Sequence, residues 1–368
     1  MNSHIVNYVV VSFFSKRIME TKQYSGVDLT KFICAFLILC IHWEPFAGLN
    51  NTLNSVTVNF LARLAVPFFF IASGFFAFRK IDSDNVDLSV TWKSVKKLLK
   101  LYLIWSVIYL PFTIVEVVKA DNLNEALNIL LSWIKNMFFT AGYGFLWYLP
   151  ATAFAVFAVA VMLMKKISFK VIISLGIVLF AVGLLGQTYF GAIKPLSEYE
   201  GLWHILKCIR DIIVTTRNGL FEGLLFVALG AALAHRRIKE RGLWSSLIGF
   251  VISLGLLFTE SYLLSTLDWK LEYDMYIFMV PAAFFLFEIA LNVNFNKPNL
   301  SRCFRIYSTL FYLTHMLVVE LAFALELQTK MPSIISFVLI AVTTLALDSI
   351  IIKLSELKQF KFLKNLYL

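Results

Sequence analysis

Stretches of about twenty apolar residues recur along almost the whole chain, and that spacing restricts it to one kind of fold. A helix rising ~1.5 Å per residue needs about twenty residues to cross a hydrocarbon layer ~30 Å thick. Ten such segments can be drawn, near 29–48, 57–78, 98–118, 144–164, 169–190, 218–235, 243–264, 273–292, 304–324 and 332–352. A transmembrane β-barrel would instead show short segments of alternating polarity. Composition agrees, with 60 % hydrophobic and only 15 % charged residues and a mean hydropathy of +0.79. The expected fold is an all-α integral membrane protein, a polytopic bundle of about 10 transmembrane helices. The first apolar stretch, Ile5 to Phe14, is too short to span and is followed by Lys16, Arg17, Glu20 and Lys22 with no small-residue cleavage site. It reads as an interfacial lead-in rather than a signal peptide.

Lys and Arg sort onto alternate loops, which orients the bundle because basic residues stay on the cytoplasmic side of short loops. One set holds Lys22 and Lys31, Arg79 to Lys100, Lys165 to Lys170, Arg236 to Arg241, Lys297 to Arg305 and Lys353 to Lys364, most of the 33 basic residues. The other loops hold few, among them Lys119, Lys135, Lys194, Lys207, Arg210, Arg217, Lys270 and Lys330. Both termini are expected in the cytoplasm. The organisation that follows is a cytoplasmic or interfacial lead-in over 1–25, a transmembrane domain over 26–353 and a basic cytoplasmic tail over 354–368, in the cytoplasmic membrane. The net charge of +10 reports orientation and attraction to anionic lipid, so nucleic acid is not an expected partner. Cys34, Cys40, Cys208 and Cys303 have no paired spacing, which predicts neither a disulfide nor a metal site. No Walker-type loop, Gly-rich dinucleotide turn or internal repeat is present.

Polar side chains inside such segments are costly and mark pathways or reacting groups. The first segment carries Lys31 and His42, eleven residues and ~16 Å apart on one helix face. A cation at the inner end suits an anionic donor, and an imidazole beyond the midplane suits proton abstraction; a polar side chain at the outer interface explains His42 equally well. Glu44 lies on another face, which argues against a His42–Glu44 dyad. Arg63 in the second segment requires a carboxylate, carbonyl or substrate partner. Lys93, Lys96, Lys97 and Lys100 fall partly on one helix face and can clamp phosphates or simply anchor the cytoplasmic end. Trp147 and Tyr148 begin the fourth segment where aromatic belts occur. Glu288 and His315 are further intramembrane polar groups that can be sites or helix-to-helix bonds.

Five stretches, in this order and topology, resemble bacterial acyltransferase family 3: GVDLTKFICAFLILCIHW (26–43), RLAVPFFFIASGFF (63–76), KKLLK (96–100), GFLWYLP (144–150) and LFYLTHMLVV (310–319). Together with RLAVPFFFIASGFF, RNGLFEGLLFVALG (217–230) is also similar to the membrane domain of vancomycin-resistance serine racemases, here without length for their soluble racemase domain. Lys31, Lys97 and Lys100 stand where the family commonly has Arg, keeping charge but losing the planar fork that grips phosphate.

The resemblance implies transfer of an acyl group, most often acetyl, from cytoplasmic acyl-CoA to a hydroxyl of a glycan or lipid-linked acceptor at the outer face, with no permanently bound cofactor. His42 would be the catalytic base or an acyl carrier. Lys31, Lys97 and Lys100 would hold acetyl-CoA (or another acyl-CoA) by its phosphates, and Arg63, Trp147, Tyr148 and Arg217 would line the acceptor end. The rival expectation is a transporter or flippase of a glycan, lipid or amino acid. A non-catalytic partner of a glycan synthase is a third. The acceptor and the oligomeric state are not legible.

Overall fold

A computed structural model describes residues 23–81, 87–201, 204, 215–267, 269 and 272–368. The Ile5 to Phe14 stretch, Lys16, Arg17, Glu20, Lys22, Lys207, Cys208, Arg210 and Lys270 lie outside the described residues. Within them the chain is helical with no strand. Helix α1 is Ser25–His42 and α2 is Asn51–Phe78; α3 is Leu88–Lys119, α4 Leu123–Phe139 and α5 Gly144–Met164. Helices α6 (Phe169–Leu185) and α7 (Phe190–Glu198) are a pair bent by 78°. Then come α8 (Gly219–Ala234), α9 (Leu243–Thr266), α10 (Met279–Asn292), α11 (Pro298–Ala324) and α12 (Ser333–Glu356).

Among the described residues, seven helices are long and apolar enough to cross a membrane: α1, α2, α3, α5, α9, α11 and α12. The bent α6–α7 pair makes an eighth if it is one span, and α8 and α10 are apolar but shorter. The segments therefore fall where the sequence places them, although α8 and α10 are too short to qualify alone. The first span ends earlier than expected: α1 stops at His42, and Trp43 leaves helical geometry while its Nε1 donates to Ser336 Oγ of α12 at 2.9 Å.

Burial separates an inner ring from a periphery. The apolar windows of α2 and α5 are 67 % buried and that of α11 is 61 %, against 22 % for α9 and 28 % for α12. Large exposed side chains such as Val251, Ile252, Val338 and Val342 make the outer faces lipid-compatible. Inside, α1 packs on α11, α2 on α8 and α3 on α5. The α2–α8 crossing is tight because it is made on glycine. A Cβ at Gly74 would overlap the Val227 backbone, and one at Gly230 would overlap the Ile71 carbonyl, a close approach that membrane helices commonly use.

Residues 354–368 do not trail away. Lys358–Leu366 forms a 3-10 stretch, Trp105 Nε1 of α3 donates to the Leu366 carbonyl at 3.0 Å, and Tyr367 shares a 2.7 Å hydrogen bond with Ser355.

Candidate active site

Three departures from regular α-helix build the site. In α2, a π turn at Thr57–Leu61 precedes Arg63, whose Nε donates back to the Val58 carbonyl at 3.2 Å. A 3-10 turn, Gly144–Trp147, opens α5 and carries Trp147 inward. At the start of α8, Asn218 caps the Leu220 and Phe221 N–H groups at 2.9 and 3.0 Å, and a π turn at Gly219–Gly223 buries Glu222. Single π turns of this kind recur at functional sites.

These elements close around His42. The imidazole, half-buried at the last position of α1, opens onto a cavity of about 330 Å³ lined also by Arg63, Trp147, Arg217, Glu222 and Asp274. Asp274, in the segment before α10, pairs with Arg63 and, at 2.9 Å, with Arg217. Burial alone would raise its carboxyl, but the Arg63 and Arg217 guanidiniums outweigh burial and hold it below its ordinary value. Arg217 also lies 5.0 Å from the centre of the Trp147 ring, a cation–π contact. The partner that Arg63 required is thus Asp274, with Arg217 sharing it.

Behind His42 stands His315 of α11, fully buried, with the two ring centroids 5.4 Å apart. Its Nδ1 meets the Phe311 carbonyl at 3.1 Å, which assigns the hydrogen to Nδ1 and leaves Nε2 with a lone pair. Nε2 has no hydrogen-bond partner, and neither do Glu222 Oε2 and Arg217 Nε. Buried polar atoms are normally paired; of these residues Glu222 and Arg217 line the cavity, so its wall has polar capacity to spare for a ligand.

The cavity near the other end of α1 is different. About 280 Å³ in volume, it is lined by Lys31, Ser73, Lys97, Tyr148, Tyr312 and Tyr367, among others. Lys31 is half-buried, its Nζ 4.8 Å from the Phe76 ring centre. Tyr312 lines both cavities and is the wall between them, its hydroxyl donating to the Phe145 carbonyl at 2.5 Å.

The residues singled out by sequence therefore divide into two groups. His42, Arg63, Trp147 and Arg217 share the first cavity, and Lys31 and Lys97 share the second. Tyr148 does not accompany Trp147. One residue is ~100° of helix turn, so its ring faces the Lys31 cavity, where the hydroxyl meets Ser73 at 2.8 Å and the Phe69 carbonyl at 3.1 Å. Lys100 also stands apart, bonded to Asn365 at 2.8 Å. Glu44 accepts from Asn54 at 2.6 Å and forms no dyad with His42. Glu288 pairs with Arg241 at 3.3 Å, a helix-to-loop bond.

Asp274 and Glu222 were not anticipated. Both lie inside expected segments, Asp274 at the edge of 273–292 and Glu222 within 218–235, so the cost of an acid in hydrocarbon was a signal available for each, as was Arg63, for which a carboxylate was one of three partners weighed. Cys34 and Cys40 are free and buried and Cys303 is free and exposed. Among the described residues no cluster of His, Cys, Asp and Glu could hold a metal ion.

Residues 24–352 match the model of an acyltransferase domain, acyltransferase family 3. The chain belongs to this family. It is 29 % identical over 274 residues to an amino-acid racemase of Enterococcus faecalis, covering 74 % of this chain and 36 % of that protein. It is also 29 % identical over 271 residues to a serine/alanine racemase of Enterococcus gallinarum, covering 72 % of this chain and 37 % of that one. A second E. faecalis amino-acid racemase matches at 26 % over 340 residues, 90 % of this chain and 46 % of the relative. The chain spans less than half the length of the curated relatives it matches. No solved structure matches it.

Proposed function

We propose that this chain is a membrane O-acyltransferase that moves an acyl group, most simply acetyl, from cytoplasmic acyl-CoA to a hydroxyl of a cell-surface glycan or another exported acceptor. The observation that carries the reading is that the His42 cavity and the Lys31–Lys97 cavity lie on either side of one side chain, Tyr312. In this reading the bundle crosses the cytoplasmic membrane ten times, counting α6–α7, α8 and α10, with both termini and the Lys31 end in the cytoplasm. The basic loops support that orientation.

Lys31 and Lys97 hold the CoA phosphates, with Lys100 adding charge at the entrance, and the thioester reaches past Tyr312 toward His42. His42 takes the proton from the acceptor hydroxyl as its oxygen attacks the thioester carbon. The intermediate then expels the CoA thiolate, which recovers that proton from the imidazolium. A base in this position contributes ~10² to 10⁴ in rate. Arg63, Arg217 and Trp147 orient the acceptor, and Tyr148 contacts the donor arm rather than the acceptor.

A second reading, movement of an amino acid or a lipid-linked glycan without chemistry, has in its favour that the relatives are named as racemases of amino acids. Complementation of a deletion strain separates the two. Surface glycans from cells carrying wild type or His42→Ala are compared for alkali-labile acyl groups by mass spectrometry at equal protein level. The acyltransferase reading expects the mark with wild type alone. An ester mark restored by both proteins refutes the role of His42, and a change in export with no ester mark favours transport.

A further inference from the structure

The His42 cavity adjoins a larger one. Through Tyr143, Gly144, Trp147 and Arg217, which line both, it continues into a cleft of about 980 Å³, three times its own volume. One wall of that cleft is α4, a helix that the apolar pattern leaves in an outer loop. α4 is amphipathic. Leu123, Leu127, Leu131 and Phe138 are exposed, Phe138 by 82 %, which suits a helix lying in the membrane interface with its apolar face in lipid.

Beside this apolar row, one residue or ~100° further around the helix, runs an uncharged polar ladder. Asn124, Asn128, Ser132 and Asn136 follow one another at four-residue spacing, all of them lining the cleft, so they stand one above another along a single helix row. From Asn124 to Asn136 the row runs ~18 Å, longer than one sugar ring or one amino acid. Beside it Trp133, half-buried, presents an aromatic ring to the same space. Amides and hydroxyls offer both donors and acceptors, the pairing that a run of sugar hydroxyls needs, and an indole face covers the apolar C–H side of a pyranose.

Charge narrows the class further. Glu125 accepts from the Asp121 N–H at 2.9 Å at the start of α4, and Glu116 lies on the facing helix. The basic residue lining the cleft is Arg217, at the junction with the His42 cavity and already paired with Asp274. Among the described residues that line the cleft, a polyanionic chain would meet the carboxylates of Glu116 and Glu125 along the ladder and a single guanidinium, Arg217, at its inner end.

We infer that α4 and the loop before α5 form the binding cleft for a neutral oligosaccharide chain, several sugars long, whose reacting hydroxyl is delivered past Trp147 to His42. This rests on the acyltransferase reading for the last step, but the cleft itself is testable without it.

The experiment is a titration of the purified full chain in detergent, followed by tryptophan fluorescence, with chitohexaose, maltohexaose, their single sugars, a hyaluronan hexasaccharide and L-serine. At least one neutral hexamer is expected to bind at least tenfold more tightly than its single sugar, the hyaluronan hexamer and serine. Asn128→Ala, at an exposed position where misfolding is not expected, removes about one hydrogen bond and should weaken that binding by about fivefold. Trp133→Ala should weaken it more, read by isothermal calorimetry because a reporter is lost. Binding that does not depend on chain length, serine or hyaluronan binding as tightly as the neutral hexamers, or no loss in Asn128→Ala overturns the inference. Because no acyl transfer is read, loss of the acyltransferase reading would appear separately, as acyl-CoA turnover that is indifferent to His42.

Discussion

Asp274→Ala should destabilise the protein and empty the acceptor end of its order. The carboxylate is 8 % exposed and Arg63 14 %, so this pair is held largely away from water, whereas Arg217 at 33 % is partly hydrated. Removing one partner of a buried ion pair costs ~3–5 kcal/mol, because the other is left desolvated and uncompensated. Here two guanidiniums are left facing each other; the hydration of Arg217 argues for the low end, about 3 kcal/mol. At ~2 °C per kcal/mol for a large chain, the apparent melting midpoint in detergent should fall by about 6 °C. The double variant Arg63→Leu/Asp274→Leu should recover part of the loss, with a coupling of about 2 kcal/mol in a double-mutant cycle. The pH dependence has a definite sign. The folded carboxyl is held below its ordinary value, so its contribution is fully present above the unfolded value, ~3.9, and is lost as pH falls through the lower folded one. An unchanged midpoint in Asp274→Ala, or losses that simply add in the double variant, would refute the reasoning.

Three further perturbations follow from the geometry. Gly230→Val places a side chain against the Ile71 carbonyl, and overpacking of that kind should cost about 3 kcal/mol, read as lost folded protein in fluorescence-detected size exclusion; wild-type yield would contradict the close α2–α8 crossing. Lys31→Met should raise KM for acetyl-CoA about tenfold while leaving KM for the acceptor alone, since a charged hydrogen bond is worth ~1.5 kcal/mol or more; an equal change in both would place Lys31 outside the donor site. Tyr312→Ala removes the wall between the cavities and should raise kcat/KM for a butyryl donor relative to an acetyl one at least fivefold, measured by thiol release; an unchanged ratio would mean that the acyl chain takes another route.

What could be read from the residues alone was whatever the membrane makes expensive. Lys31, His42 and Arg63 stood out because hydrocarbon surrounds them in sequence, and Arg63 called for a carboxylate, carbonyl or substrate partner. The apolar segments gave the helices, down to Gly144–Met164 matching its expected bounds. Residues whose cost is set by three-dimensional neighbours stayed hidden. Asp274, at the edge of the 273–292 segment, reads as an interfacial acid until two guanidiniums flank it. Glu222, inside the 218–235 segment, carried the same cost as Arg63 and went unweighed, while the π turns beside both residues are encoded by no hydropathy pattern. Helix α4 was missed for a related reason: an interfacial helix is apolar on one side only, so its mean hydropathy falls below that of a span although its Asn residues recur every fourth position. Trp147 and Tyr148, adjacent in sequence, were assigned together, and helical geometry sends them to different cavities.

The account stands on acyl transfer at His42 from a donor held at the Lys31 end. The direct measurement uses proteoliposomes of defined orientation with carbon-14 acetyl-CoA on the side of the basic loops and the host's extracted surface glycan on the other. Label should appear as alkali-labile ester on the glycan with wild type, and fall at least a hundredfold with His42→Ala while that variant still binds acetyl-CoA. Label transferred equally by His42→Ala, or glycan crossing the bilayer with no label attached, would contradict it.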